Sequence, residues 1–362
     1  MFHKKSQSQL LFYELIQLSI GQRDCISITP SSKEWETIFT YSQEQTIAGV
    51  TFTSLEKLFS SGIKPPKELL FKWWGLSEQI KSKNQLLNKR CFEICELLSR
   101  AGFRSCILKG QGNARMYVDP LSRNPGDIDV WVEGDRDSIK SFAFSKCSNS
   151  VDGDMHIVFP YYEDVVVELH YYPRHSIVPK YDKRIHSWLN RVSEVQFSNM
   201  VNLTPLGEEK VAVPTTQFNV VYQMSHMLGH MLAEGIGVRH LMDYYYVLKS
   251  LYEEGQQDNY TQIFNYLGML NFAKGIMWVE EFLFGMNENW AIVPHSKIIG
   301  KLILDDIIDG GNFGRSRKTQ TIRSRGILWR GLIDTCRLLH LFPVQPSQIV
   351  WRLAHKYRLT SQ

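Results

Sequence analysis

Apolar positions recur through the first hundred residues at intervals of three and four, the spacing that lines one face of an α-helix. Leu11, Leu15 and Leu18, with Phe12 and Ile16 beside them, make a first stripe, and residues 35–41 and 50–59 predict two more short helices. Pro65-Pro66 then opens a long helix, since proline is well tolerated in a first helical turn. Its apolar face runs from Leu69 through Trp73, Ile80, Leu87, Cys91 and Leu98, and it ends at Gly102. The Trp73-Trp74 pair reads as packing, not as a ligand platform. From Phe103 the period changes. Residues 103–108 predict a strand, Lys109-Gly110-Gln111-Gly112 a turn, and Ala114 to Tyr117 a short helical run. Strands are predicted at 128–132, 155–160 and 165–170, with a helix at 137–144 capped by Asp135 or Asp137.

Between 175 and 213 the pattern weakens: Trp188 and Leu189 suggest one helical turn, and 194–197 and 210–213 suggest short extended pieces. Helical spacing returns after Thr215 or Thr216, either of which can cap a helix through Phe218, Met224 and Met231 that stops at Gly235-Ile-Gly237. Further helices follow through Leu241 to Leu248 and at 263–270, 272–284 and 298–308. The predicted fold class is α+β: a helical region over 1–100, a small mixed-sheet core over 101–200 and a helical domain over 201–362.

Composition narrows the class. The 362 residues are 43% hydrophobic and 22% charged, ordinary values for a globular protein. No window approaches eighteen uninterrupted apolar residues, and the run from Leu10 to Ile20 is broken by Glu14 and Gln17, so it predicts an amphipathic helix and neither a signal peptide nor a membrane span. Six cysteines show no Cys-x-x-Cys spacing, and Cys91 and Cys95 share a helix face, which predicts buried free thiols and a reducing cytoplasm. A net charge of +4 does not argue for nucleic acid. Its distribution is uneven: from Arg315 to Arg358 ten basic residues face a single acid, Asp334. Such an end suits nucleic acid, an anionic membrane or acidic partners; a helix packed on the body with its arginines in water is the favoured reading.

Candidate chemistry centres on Arg123 to Val132, a turn feeding a short strand. Alternation puts Asp127 and Asp129 on one face and Ile128, Val130 and Val132 on the other. Two acids so placed repel unless a hard cation or a shared proton lies between them; a solvated loop Asp before an edge-strand Asp is the plainer alternative. Upstream, Gly110 at a strand-to-helix turn lets backbone approach a phosphate. Downstream, Glu168 and His170 share one face of a valine-rich strand, and an acid in such a run needs a partner, so a third ligand is the economical explanation. His226 and His230, four apart, have the spacing of zinc-binding pairs, but no Glu stands where a zincin needs it, and structural or substrate-contact roles are favoured. Arg239 and Asp243, also four apart, read as an exposed intrahelical pair of small energetic value.

Leu108-Lys109-Gly110, Tyr117, Arg123-x-x-Gly126-Asp127-Ile128-Asp129 and Val167-Glu168-Leu169-His170 resemble the uncharacterised nucleotidyltransferase family within the polymerase-beta-like superfamily. Lys-Gly stands here where the superfamily usually has a small pair, and the gap from Gly110 to Asp127 is long for the superfamily. The resemblance implies a nucleotidyltransferase core that moves a nucleoside monophosphate from a nucleoside triphosphate, ATP being favoured, to an acceptor hydroxyl. Asp127, Asp129 and Glu168 would be the catalytic acids and hold Mg²⁺ or Mn²⁺, two ions in all. Lys109, Gly110, Gln111, Ser122 and Arg123 would meet the nucleotide. His170, His226, His230, Arg239 and Asp243 are candidates for the cleft; the family has an Arg and an Asp in a comparable helix. A nucleotide-binding regulatory module and an RNA-modifying enzyme are the alternatives, with nucleic acid not favoured as a partner. The acceptor is not identified by any residue, because the superfamily modifies antibiotics, proteins, RNA and nucleotides alike.

Overall fold

The computed structural model describes residues 6–204, 209–316 and 327–360. Four helices come first: α1 (Gln7–Ser19), α2 (Ser32–Glu44), α3 (Ala48–Phe59) and α4 (Lys67–Arg100). Ser31 and Glu34 cap α2 reciprocally, each side chain holding a backbone N–H of the other. At 34 residues α4 is about 50 Å long. Its first half packs on α3, where the fully buried Trp73 donates to the Ala48 carbonyl at 2.8 Å. Its second half carries Leu87, Cys91, Ile94 and Leu98 onto a sheet.

That sheet has five strands, β1 (Ser105–Ile107), β2 (Ile128–Val132), β3 (Val151–Asp152), β4 (His156–Phe159) and β5 (Val167–His170), in the order β1-β2-β5-β4-β3. The central β2 and β5 are parallel and all other neighbours antiparallel. The short α5 (Gln111–Ala114) lies between β1 and β2, and α6 (Arg136–Lys146), capped by Asp135, crosses between β2 and β3. Ile128, Val130 and Val132 pack with α4 and with Ile139 and Phe142 of α6. The opposite face presents Asp129 and Trp131; the indole meets Phe197 at a tilt, ring centroids 4.7 Å apart, and stacks on Phe218 at 5.8 Å.

Beyond the sheet lie α7 (Pro179–Gln196), a hairpin of β6 (Met200–Asn202) and β7 (Lys210–Ala212), and then helices only: α8 (Thr216–Ala233), α9 (Val238–Glu253), α10 (Thr261–Tyr266), α11 (Leu270–Phe284), α12 (Lys297–Gly310), α13 (Ile327–His340) and α14 (Pro346–Thr360). The chain is α+β, with helical flanks on a mixed sheet. Both flanks share one core, in which Leu15 and Phe39 meet Tyr244, Ile276 and Ile307. The 18-residue α7 corrects the sequence reading of a single helical turn and of an extended piece at 194–197. Ile185 and Leu189 are its buried apolar positions, with Trp188 and Val192 half-buried beside them. Polar residues separate them, so the apolar stripe is too thin to stand out in the sequence.

Thr215, not Thr216, caps α8. Of the basic end, Arg317, Lys318, Arg323 and Arg325 lie outside the described residues, while Leu338, Leu341, Val344 and Ile349 of the same segment are buried in the shared core. No disulfide forms; Cys91 and Cys106 are buried and Cys95 is half-buried. Among the described residues no helix is long and apolar enough to cross a membrane.

Candidate functional site

Strand register brings the acids together. Asp129 of β2 and Glu168 of β5 are Cα partners across the parallel pair, and Asp127 sits one residue before β2 begins. Ligand oxygens from Asp127, Asp129 and Glu168 all lie within 4.8 Å of one another. The three differ in surroundings. Asp129 is buried, with its Oδ1 accepting from Lys109 Nζ at 3.2 Å and from His170 Nε2 at 3.0 Å. Burial would raise its pKa, but Lys109 and His170 outweigh that and hold the carboxyl well below the usual range. Glu168 takes His170 Nε2 on one oxygen at 3.3 Å and has His156 Nε2 3.5 Å from the other. Asp127 has no ion pair among the described residues, and loss of surrounding water and then the charge of Asp129 push its carboxyl up.

His170 lies between two acids. Burial lowers the pKa of its imidazole, yet hydrogen bonds to Asp129 and Glu168 carry it above the ordinary value. Lys109 leaves β1 at the turn formed by Gly110, whose φ of 60° is a conformation that glycine adopts without strain. The lysine also donates to His226 Nε2 at 3.2 Å. Burial first, then the charge of Lys109, keeps the His226 imidazole neutral.

These groups open onto one cavity of about 810 Å³, lined by the acids, by α8 and α9 and by Arg315, Gln348 and Arg352 from the basic end. That volume is in the usual range for a small-molecule site, about 300–1,000 Å³. His226 and His230 both reach it, joined by His240, which the sequence reading missed. Their ring centroids are 4.4 to 6.3 Å apart. The metal-competent groupings among the described residues are the three acids and the set His156, Glu168 and His170; neither contains His226 or His230.

The remaining candidates are placed as follows. Asp243 does not form an exposed pair with Arg239. It is buried and bound to Arg123 by Nε to Oδ1 and Nη2 to Oδ2 contacts of 2.8 Å each, with Tyr117 donating at 2.6 Å. The contact that decides this is 120 residues long in sequence and invisible to helical spacing. Arg239 instead donates to the Asn124 carbonyl at 3.2 Å, beside Gly126 and Asp127. Gln111 bonds Asn88 under α4, and Ser122 donates to the Asp119 carbonyl at 2.7 Å; neither lines the cavity. Arg174, four residues past β5, does line it and was not anticipated. An arginine after a strand of acids and histidines was the available signal.

The geometry therefore offers three gathered carboxylates, with Lys109 bonded to Asp129 and no ion pair on Asp127 among the described residues, beside an open cavity. Comparison with curated proteins and with solved structures finds no match. A family model described as uncharacterised nucleotidyltransferase matches residues 31–285, which span α2 to α11 and include the whole sheet. The chain belongs to that uncharacterised nucleotidyltransferase family.

Proposed function

We propose that the chain catalyses metal-dependent transfer of a nucleoside monophosphate from a nucleoside triphosphate, ATP foremost, to an acceptor hydroxyl, releasing pyrophosphate. The observation that carries this reading is the convergence of Asp127, Asp129 and Glu168 oxygens within 4.8 Å. Like charges at that spacing are costly without a cation among them. Lys109 and His170 engage Asp129, but Asp127 is left unpaired and its pKa is raised, so the donor set fits a hard divalent ion. Mg²⁺ or Mn²⁺ held by these acids would supply Lewis-acid stabilisation of the attacking and leaving oxygens in an in-line displacement at the α-phosphorus.

The residues of this chain would do the rest. Asp127 and Asp129, two positions apart and so on the same face, would hold the ions beside the triphosphate. Glu168, across from Asp129, would serve the acceptor side, where the hydroxyl gives its proton to solvent as its oxygen bonds to the α-phosphorus and the bond to the bridging oxygen breaks, its electron pair leaving with pyrophosphate. Lys109, bonded to Asp129, and Arg239, beside Gly126, would neutralise the triphosphate. Arg123 braces the cavity wall through Asp243 instead of meeting phosphate. His170 keeps Asp129 and Glu168 aligned by bonding both.

The test has two parts. Each labelled nucleoside triphosphate is incubated with Mg²⁺ or Mn²⁺ and cell extract, and transfer of the label is followed. Calorimetry should then show nucleotide affinity rising with Mg²⁺ in the parent and losing that response in Asp127→Asn with Asp129→Asn. Equal, metal-independent affinity in both proteins, with no transfer in any extract, would overturn the reading.

A further inference from the structure

Arg174 reaches into the cavity but forms no ion pair or hydrogen bond among the described residues. Its guanidinium lies across Gly229 of α8, where an added Cβ would come within 1.6 Å of Nη2 and 2.5 Å of Cζ. Any other residue at 229 would displace it, so the glycine makes the seat. Glycine inside a helix is disfavoured relative to alanine. His226 and His230 flank Gly229. Burial and the nearby cations, Lys109 ahead of Arg174, hold both imidazoles below their usual range. Glu234, one turn further along at the C-cap of α8, is taken by His230 Nδ1 at 3.0 Å.

Arg174 forms no contact with the three acids among the described residues, whereas Lys109 and His170 bond Asp129; Tyr222 is the ionisable side chain that acts on Arg174. Burial draws the guanidinium down to about 10, so it remains charged at neutral pH. Arg174 is half-buried at the cavity wall, and a charge partly withdrawn from water and left without a counter-ion is costly. A ligand that brings an anion removes that cost, and the guanidinium fork matches the paired oxygens of phosphate or carboxylate.

We propose that Arg174, seated on Gly229 between His226 and His230, anchors an oxyanion subsite that takes a phosphate or carboxylate group of a substrate, apart from the three metal acids. The anion has two sources within reach of the reaction: the outer phosphates of the nucleotide, or an acidic group on the acceptor. Its role as a substrate subsite rests on the transfer reading, whereas the anion affinity itself does not.

The test is calorimetry on the full-length protein with inorganic phosphate and pyrophosphate in chelator, followed by ATP with Mg²⁺. The parent should bind pyrophosphate without divalent metal. Arg174→Gln should weaken that binding about tenfold or more, the loss of one charge-assisted hydrogen bond. Gly229→Ala should do the same by moving the guanidinium, and Arg174→Lys should lie between them and the parent. Asp127→Asn with Asp129→Asn should retain pyrophosphate binding, which separates the subsite from the metal site. ATP affinity falling in parallel in Arg174→Gln assigns the anion to the nucleotide; unchanged ATP affinity assigns it to the acceptor. Thermal unfolding of Arg174→Gln should be no lower than the parent's, because an unpaired charge has been removed. A parent that binds neither anion, or equal binding in parent, Arg174→Gln and Gly229→Ala, overturns the subsite even where nucleotide transfer persists.

Discussion

Arg123 and Asp243 are joined by two 2.8 Å hydrogen bonds in parallel, and Tyr117 adds a third at 2.6 Å to the same carboxylate. The two side chains retain only 5% and 8% of their exposure, so the pair ties the turn before β2 to α9 in a setting where neither charge can find water. Burial alone would raise Asp243, but Arg123 holds it below the ordinary carboxylate range. Removing one partner leaves an uncompensated buried charge. Asp243→Ala is expected to lower unfolding stability by about 3–5 kcal/mol. Replacing both, Arg123→Met with Asp243→Leu, should cost less than Asp243→Ala alone. Chemical denaturation of the three variants checks the order; a double variant worse than the single would show that the pair is not what anchors the turn.

A second buried pair concerns the basic end. Arg337 of α13 meets Asp306 of α12 with contacts of 2.8 and 2.9 Å and also donates to the Met231 carbonyl. This arginine is a tether, and α14 beyond it brings Gln348 and Arg352 to the cavity. Arg337→Ala should cost about 3 kcal/mol, the lower end for a broken buried pair, and hydrogen exchange should rise across α13 and α14 first. If the basic end acted instead as a phosphate-tracking surface, removing arginines would flatten a steep salt dependence of RNA binding. No such dependence is expected.

Much of this was legible because it is local. Alternation alone puts Asp127 and Asp129 on one face, and the same rule pairs Glu168 with His170, so the acids could be named before their convergence was seen. The long α4 was equally plain from Trp73 to Leu98. What could not be read was which distant group each side chain would meet. Nothing near Asp243 in sequence indicates Arg123, and helical spacing offered Arg239 instead. His240 comes within ring contact of His226 and His230 only because α8 and α9 pack together. Arg174 was passed over because its partner is a missing side chain, the glycine at 229.

Glu280 of α11 yields a pH prediction. It has no exposure, and neither carboxyl oxygen has a hydrogen-bond partner among the described residues. Burial therefore raises its pKa well above 4.5, so the folded state holds it protonated. A group whose folded pKa is raised contributes stability that is fully present below the unfolded pKa and is lost as pH rises toward the folded one. The parent should lose thermal stability relative to Glu280→Gln as pH is raised above about 4.5, the gap widening until the folded pKa is reached. Parallel melting curves for the two proteins from pH 4 to pH 9 would contradict this.

Glu168 separates an enzyme from a protein that merely holds a nucleotide. Under the proposed reading, Asp127 and Asp129 would suffice to hold the metal of a metal–nucleotide complex. Transfer needs, in addition, a group on the acceptor side, and Glu168 is the acid on the neighbouring strand, with His156 and His170 beside it. A contact made on the way to the transition state lowers turnover more than ground-state affinity when it is lost. Glu168→Gln keeps size and hydrogen-bonding capacity. It should leave nucleotide affinity within a few-fold while cutting transfer by roughly two or more powers of ten, the scale for losing a metal-activated nucleophile. Pyrophosphate release in the presence of the acceptor is the readout. Unchanged release would remove Glu168 from the catalytic set, and equal losses in affinity and turnover would make it a nucleotide ligand, leaving the acceptor hydroxyl to be activated from elsewhere in the cavity.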